Sequence, residues 1–133
     1  MIPLYEWKQS PFIFKDASIS HNVYEPCTDT YTLIDALYLD KDSILAMHPS
    51  RCAEIGVGSG YALIALYEIT HCPCIGTDIN PDAVSQASKV VDLYSYGHDI
   101  HIKQCNILDG IEGMLDVIII NPVMHLLALC ANQ

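Results

Sequence analysis

An asparagine and a proline follow four β-branched residues in the stretch VIIINP, at residues 117–122. Such a run is typical of a strand buried on both faces, which neither Asn121 nor Pro122 can continue. Two interpretations of the pair are open. It either ends the strand and begins a helix, or it serves a ligand at the tip of the strand.

A glycine-rich turn, EIGVGSG at residues 54–60, is a second candidate site. The dinucleotide fingerprint needs its third glycine one position later than Gly60, where this chain has Tyr61. A nicotinamide cofactor is therefore not expected, and the Gly-Lys-Ser ending of a phosphate loop is also missing. Gly56 and Gly58 still allow a sharp turn and a close approach to a ligand, and the next helix offers amides to a small carboxylate.

Two carboxylates accompany this turn. Glu54, just before it, would repel phosphate and is suited either to an ammonium group or to holding the loop through backbone amides. Asp78 ends the next predicted strand, about twenty residues beyond the loop, where a carboxylate can bind the hydroxyls of a ribose. The alternative for Asp78 is a cap on the following helix. Together these features describe a ligand with an ammonium group, a carboxylate and a ribose but no phosphate. S-adenosylmethionine is such a ligand.

Alternating strand and helix patterns position these residues. Helices are predicted from near residue 29, over 61–69, from Pro81 until Gly97 and over 123–132, and strands over 51–55, 74–78, 100–105 and 115–120. This order predicts an α/β fold, with an open parallel sheet and helices on both faces. Glu54, Asp78, Asn106 and Asn121 all fall at carboxyl ends of strands, where such sheets bind ligands.

Composition restricts the class of partner. The 133 residues suit one domain, with residues 1–27 as an N-terminal arm and 28–133 as its core. Sixteen acidic against six basic residues give a net charge of −10, which disfavours direct nucleic-acid binding and favours a basic protein or a cationic small molecule. Without a signal sequence or a membrane-spanning run, we expect a cytoplasmic protein with reduced cysteines.

Four segments together, VYEPCTDTYTLIDAL, EIGVGSG, TDINPDAV and IINP, resemble the HemK-type glutamine methyltransferases, in particular the eukaryotic and archaeal branch that modifies the class I translation release factor. The resemblance runs from about residue 22 to residue 122. It implies a Rossmann-like class I methyltransferase fold and S-adenosylmethionine as cofactor. It also implies methylation of the glutamine side-chain nitrogen in the Gly-Gly-Gln motif of the release factor.

The resemblance also assigns roles to individual residues. Thr30 is expected to touch the cofactor together with Glu54 and Gly56, and Asp78 to bind its ribose. Asn106 stands where the family usually has an aspartate near the adenine. The cofactor set is completed by the glycines of the turn, Gly58 and Gly60, and by Asn121.

The reactive motif of the family is Asn-Pro-Pro-Tyr, of which this chain has Asn121 and Pro122, followed by Val123 and Met124. The Asn oxygen and the Pro carbonyl are expected to accept the two amide protons of the substrate and to hold its nitrogen in line with the methyl group. The departure has two explanations. Either half of the motif is lost, or a loop is missing from this chain and the sheet is incomplete at its C-terminal end.

Family members work with a small zinc-binding activator subunit. Its expected docking site is the strand at residues 100–105, an edge strand if the order is three, two, one, four, with Ile100 and Ile102 exposed. No metal site is expected in this chain, because the spacing of its His and Cys residues does not suit structural zinc. Two rival functions remain open: an adenine methyltransferase acting on DNA or RNA, and a non-catalytic remnant of the fold.

Overall fold

The computed structural model describes residues 10–121. Its elements, in chain order, are α1 (Thr28–Leu39), α2 (Lys41–Ala46), β1 (Cys52–Ile55), α3 (Tyr61–Thr70), β2 (Cys74–Asp78), α4 (Pro81–Leu93), β3 (Ile100–Gln104) and β4 (Val117–Ile120). All four predicted strands and three predicted helices are found close to their expected bounds. Only α2 was not predicted. The helix predicted over residues 123–132 lies outside the described residues, as does Pro122.

The four strands form one parallel sheet in the order β3-β2-β1-β4, which confirms the predicted order. In the register, Ile55 pairs with Thr77 on one side and with Ile120 on the other. The next residues along β2 and β4 are Asp78 and Asn121. The sheet therefore brings both side chains to the same edge as the glycine turn, because the carboxyl ends of parallel strands lie together.

Two helices begin with polar caps. Asn80 caps α4, since its side chain accepts a hydrogen bond from the amide of Asp82 at 3.0 Å, and Pro81 occupies the first turn as predicted. The cap of α1, which was predicted to start near residue 29, is Cys27. The Cys27 amide donates to the hydroxyl of Thr30 at 3.3 Å. Thr30 thus supports the start of α1 by reaching back to the cap, which local sequence did not reveal.

Helix α3 is the centre of the core. It is buried nearly all round, as its sequence predicts, and packs against α1, α2 and α4. Side chains from one face of the sheet complete this core: Cys52, Cys74, Ile100 and Ile119. On β4 the alternate positions, Ile118 and Ile120, are 44% and 55% exposed. The predicted second layer of helices is not present among residues 10–121.

The N-terminal arm packs onto the helices, although its described residues contain no helix or strand. Phe12 is buried, and its ring stacks on Tyr94 with centroids 6.1 Å apart. Phe14 lies between Tyr31 of α1 and Tyr61 of α3, at centroid distances of 5.0 and 5.2 Å. These contacts make the arm part of the packed core.

Strand β3 lies at an edge of the sheet, as predicted, but its apolar side chains are not exposed as expected. Ile100 is buried in the core, and Ile102 is partly buried beside Gly76, where a Cβ would come within 3.0 Å of the Ile102 Cδ1 atom. Both residues face the helices because side chains alternate between the two faces of a strand. The exposed side chains of β3 are polar: His101, Lys103 and Gln104.

No helix among residues 10–121 has the length and apolar character needed to cross a membrane.

Candidate functional site

An open cleft lies at the carboxyl edge of the sheet. The segment before α1, the first turns of α1 and α3, the glycine turn and the end of β4 form its walls. Five of the predicted site residues line it together: Thr30, Glu54, Gly56, Gly58 and Asn121. They come from three separate parts of the chain, namely the first turn of α1, the segment 54–58 and the end of β4, which the fold brings together.

Three other predicted residues do not line the cleft. Gly60, at φ 97°, faces α4, and a Cβ there would lie 3.1 Å from the Cα atom of Ala87. This glycine therefore allows α3 and α4 to pack closely. Asn106 is exposed after β3, and its carbonyl accepts from the Asp109 amide at 2.9 Å. Asp78 lies directly behind the glycine turn.

The glycine turn is held by the strand beside it. The amides of Gly56 and Val57 both donate to the carbonyl of Thr77 at 2.9 Å, and the amide of Gly58 donates to Asp78 Oδ2 at 3.1 Å. Three amides of the turn are therefore bound within the protein. Fewer amides remain free to bind an anion than the sequence predicted. Positive φ angles of 72° at Gly56 and 54° at Gly58 show why glycine is required there.

Asp78 connects the turn to the next helix. Its Oδ1 accepts from the amide of Asn80 at 3.0 Å, while its Oδ2 accepts from Gly58. The capping role considered from the sequence thus falls to Asn80, with Asp78 supporting it. An ionised carboxylate can accept about four hydrogen bonds. Two positions on Asp78 therefore remain for hydroxyl donors such as those of a ribose.

Glu54 is the most unusual group of the cleft. Its side chain is 3% exposed, and its Oε1 finds no hydrogen-bond partner within residues 10–121. Burial raises the pKa of Glu54 well above its ordinary value, a hydrogen bond from the Leu63 amide opposes that rise, and the nearby charge of Asp78 adds to it. An unpartnered buried carboxyl oxygen is costly, and a donor such as an ammonium group would satisfy it.

Residues that sequence reasoning missed come from the segment before α1 and from its first turn. Tyr24 and Glu25 line the cleft, and so do Cys27 and Asp29. Glu25 and Asp29 add two carboxylates to the walls beside the buried Glu54, and their negative charge favours a cationic ligand over a phosphate. Tyr24 and Glu25 belong to the VYEP part of the segment that carries the family resemblance, but no role was predicted for them, since no regular element or spacing places them near the turn.

Among the residues that the structure describes, no group of three His, Cys, Asp or Glu side chains is placed to hold a metal ion. Cys72 and Cys74 lie with Cys52 near the amino ends of β1 and β2. The Sγ atoms of Cys52 and Cys72 are 3.2 Å apart. This thiol cluster (Cys52, Cys72 and Cys74) is at the edge of the sheet opposite the cleft.

The sequence is similar to methyltransferases that act on proteins. It is 29% identical over 109 residues to the release factor glutamine methyltransferase of Agrobacterium fabrum, covering 80% of this chain and 38% of the relative. It is 32% identical over 100 residues to a provisionally named protein N5-glutamine methyltransferase of Methanocaldococcus jannaschii, covering 75% of this chain and 46% of the relative. No protein-family model matches the chain.

A second group of relatives has another substrate in its name. The chain is 30% identical over 86 residues to the ribosomal protein L11 methyltransferase of Clostridium botulinum, which covers 65% of this chain and 27% of the relative. The chain thus spans between 27% and 46% of the length of these three relatives.

Solved structures agree on the fold. The ribosomal protein L11 methylase of Lactobacillus delbrueckii superposes with a TM-score of 0.62 at 21% identity, over 86% of this chain and 58% of that one. An O-methyltransferase of Bacillus cereus, solved with S-adenosylhomocysteine, gives a TM-score of 0.60 at 15% identity, over 82% of this chain and 55% of that one. The chain has the fold of the class I S-adenosylmethionine-dependent methyltransferases, which confirms the predicted fold class.

Proposed function

We propose that this chain contains the cofactor site of a protein methyltransferase that modifies the side-chain nitrogen of a glutamine, in the Gly-Gly-Gln motif of the class I release factor. The observation that carries the proposal is the cleft itself, where Asn121 lies together with Glu54 and the glycine turn. Two of the relatives are named for glutamine methylation. The eukaryotic and archaeal branch, suggested by the sequence motifs, is part of the proposal.

The residues of the cleft, together with Asp78 behind the glycine turn, fit S-adenosylmethionine. Glu54 has a buried oxygen free to accept from the ammonium group, and Asp78 keeps two acceptor positions for the ribose hydroxyls. Thr30 closes the opposite wall from the first turn of α1. When bound, the cofactor supplies an electrophilic methyl group on a positively charged sulfur, and the acidic walls favour that charge.

We propose that Asn121 orients the substrate. It directly follows Ile120, which pairs with Ile55, so its side chain stands beside the start of the glycine turn. An amide nitrogen is a poor nucleophile because its lone pair is delocalised. By accepting one amide proton on its side-chain oxygen, Asn121 holds the nitrogen toward the methyl group and favours positive charge on it. We assign the second proton to the carbonyl of Pro122, outside the described residues.

The proposal extends to partners and location. A basic protein substrate suits the net charge of −10. We propose the edge strand β3 as the docking site of a small zinc-binding activator subunit, because its backbone is unpaired on one side within residues 10–121. We place the reaction in the cytoplasm, where translation takes place.

The test of the proposal is the variant Asn121→Ala. Transfer of a tritiated methyl group to purified release factor should fall by about 100-fold or more, because a positioned hydrogen-bond acceptor at the reacting nitrogen is lost. Calorimetric titration of the same variant with S-adenosylhomocysteine should still show binding. Turnover at the wild-type rate would refute the role of Asn121.

Other substrates are separated in the same assay. Ribosomal protein L11 is the second candidate, favoured by the relatives that are named for it. Release factor, L11 and an adenine-containing DNA or RNA are offered in parallel, and we expect label only in the release factor. Label in L11 or in nucleic acid would replace the proposed substrate. Binding of S-adenosylhomocysteine without transfer to any of them would identify a non-catalytic remnant.

A further inference from the structure

The described part of the N-terminal arm is held mainly by side chains that bind its backbone. The hydroxyl of Tyr94 donates to the carbonyl of Ile13 at 2.6 Å and accepts from the amide of Lys15 at 2.9 Å. The hydroxyl of Tyr61 donates to the carbonyl of Lys15 at 2.6 Å. The amide and the carbonyl of Lys15 are therefore bound by Tyr94, which follows α4, and by Tyr61 of α3.

Gln86 of α4 continues this pattern. Its Nε2 donates to the carbonyl of Ser18 at 3.0 Å, and its Oε1 accepts from the amide of Ser20 at 3.1 Å. Gln86 is 3% exposed on a face of α4 that otherwise buries alanine and valine. A buried amide on such a face needs partners, and the arm supplies both. Gln86 thus binds a backbone carbonyl and a backbone amide of the arm, as a neighbouring strand would.

The last of these contacts leads into the cleft. Asn80 Nδ2 donates to the carbonyl of Asn22 at 3.0 Å, while the amide of Asn80 is bound by Asp78. Val23 is buried next, and Tyr24 and Glu25 then line the cleft. The position of this wall of the cleft therefore depends on where the arm is docked.

We propose that Gln86 is a positioning residue for the cofactor: by docking the arm at Ser18 and Ser20 it places Tyr24 and Glu25 at the wall of the cleft, so that arm docking and cofactor binding are coupled. The inference rests on the proposed function, since its probe is a cofactor analogue. A ligand that binds only when the arm is docked shifts the equilibrium toward docking. A variant with a smaller docked fraction should therefore bind that ligand more weakly, in proportion to the fraction.

The experiment compares wild type with Gln86→Leu, which replaces the amide by an apolar side chain of similar size and removes both hydrogen bonds. Gln86→Glu, which keeps the acceptor and loses the donor, is the second variant. Ser85→Ala, at the exposed neighbouring position, is the matched control. Lys15 is the only Lys or Arg from residue 10 to residue 40, so trypsin cleavage after it reports arm docking.

Two hydrogen bonds of this kind change a docking equilibrium by about 5- to 150-fold. We expect cleavage after Lys15 to be faster by that factor in Gln86→Leu and less so in Gln86→Glu. S-adenosylhomocysteine should slow cleavage in wild type and in Ser85→Ala. Its Kd should rise several-fold in Gln86→Leu, and in the transfer assay the KM for S-adenosylmethionine should rise while kcat at saturation is retained.

Each contrary result has one meaning. Equal cleavage rates in wild type and Gln86→Leu would overturn docking by Gln86. Faster cleavage with an unchanged Kd for S-adenosylhomocysteine would overturn the coupling. Failure of wild type to bind S-adenosylhomocysteine would overturn the proposed function and the coupling with it, while the cleavage rates of the free protein would still decide the docking. If Gln86→Leu does not fold, the same comparisons apply to Gln86→Glu.

Discussion

The two ends of strands β1 and β2 both bury reactive side chains, but they differ in how these are partnered. At the amino ends, the Cys74 thiol donates to the Cys72 carbonyl at 3.3 Å, and Cys52 contacts Cys72. At the carboxyl ends, Glu54 keeps a buried oxygen without a partner among residues 10–121. The buried thiols at the amino ends therefore contact one another or a carbonyl, whereas one oxygen of Glu54 at the carboxyl ends has no hydrogen-bond donor among residues 10–121.

The pKa shifts at the two ends show the same contrast. A hydrogen bond from Cys74 lowers the pKa of Cys52, and that shared contact raises the pKa of Cys74, so the thiols perturb one another. At the carboxyl end, burial raises the pKa of Glu54. Perturbed groups occur both in structural clusters and in functional sites. What distinguishes the site here is an open cleft with an unsatisfied buried group, because that combination leaves a position for a ligand.

The largest expected effect tests the carboxyl end directly. Glu54→Gln removes the charged acceptor for the ammonium group, and a hydrogen bond to a charged group contributes about 1.5–3 kcal/mol. The Kd for S-adenosylhomocysteine, measured by calorimetry, should therefore rise about 10- to 150-fold. The control is Asp116→Asn, which removes one charge near the amino ends, where Asp116 accepts from Ser50 at 2.7 Å. A similar loss in both variants would contradict a local role for Glu54.

An intermediate effect is the pH dependence of the unliganded protein. The folded state holds a proton on Glu54 above its ordinary pKa of 4.5, so it binds more protons than the unfolded state there. The contribution of Glu54 to the free energy of unfolding should be fully retained below that pKa. It should then decrease as pH rises toward the folded pKa, by at most about 1.4 kcal/mol per pH unit.

Urea unfolding of wild type and Glu54→Gln over a pH series measures this contribution as a difference. The decrease in the free energy of unfolding with rising pH that comes from Glu54 should be absent in the variant. Contributions from other groups are the same in both proteins and cancel in the difference. Equal slopes in the two proteins would show that Glu54 is already ionised in the folded state.

The smallest expected effect concerns the amino end. Cys74→Ala removes a buried thiol and its hydrogen bond, which should lower the free energy of unfolding by about 1–2 kcal/mol. Binding of S-adenosylhomocysteine should stay within twofold of wild type. Cys105→Ala, at a partly exposed thiol, should change stability by less than about 0.5 kcal/mol. A large loss of binding in Cys74→Ala would remove the distinction between the two ends.

Local patterns predicted most of the regular structure. Strand β2 was predicted at its observed bounds, and α4 begins with the predicted asparagine cap and proline. Both signals are short-range, since β-branched runs and capping side chains act on their own neighbours. Helix α1 starts at Thr28, close to the predicted start near residue 29, but its cap residue Cys27 was not expected, because cysteine is not among the usual capping types.

The candidate site was predicted in part for the same reason. Glu54, Gly56 and Asn121 stand at strand ends, which a parallel sheet always brings together. No role at the cleft was predicted for Tyr24 and Glu25, although they belong to the VYEP segment of the resemblance, because the packing of the arm against α3 and α4 carries them there. Gly60 was assigned to the cofactor from its spacing, while its contact with Ala87 shows a packing role.

The sequence by itself determined the order of strands and helices, the glycine turn and the acids beside it, because these depend on local periodicity and backbone freedom. Only the tertiary structure decided that Glu54 is buried with an unpartnered oxygen, that Ile100 faces the core and that the arm forms a wall of the cleft. Burial and partnering depend on residues far apart in the chain, and no local pattern specifies which of them meet.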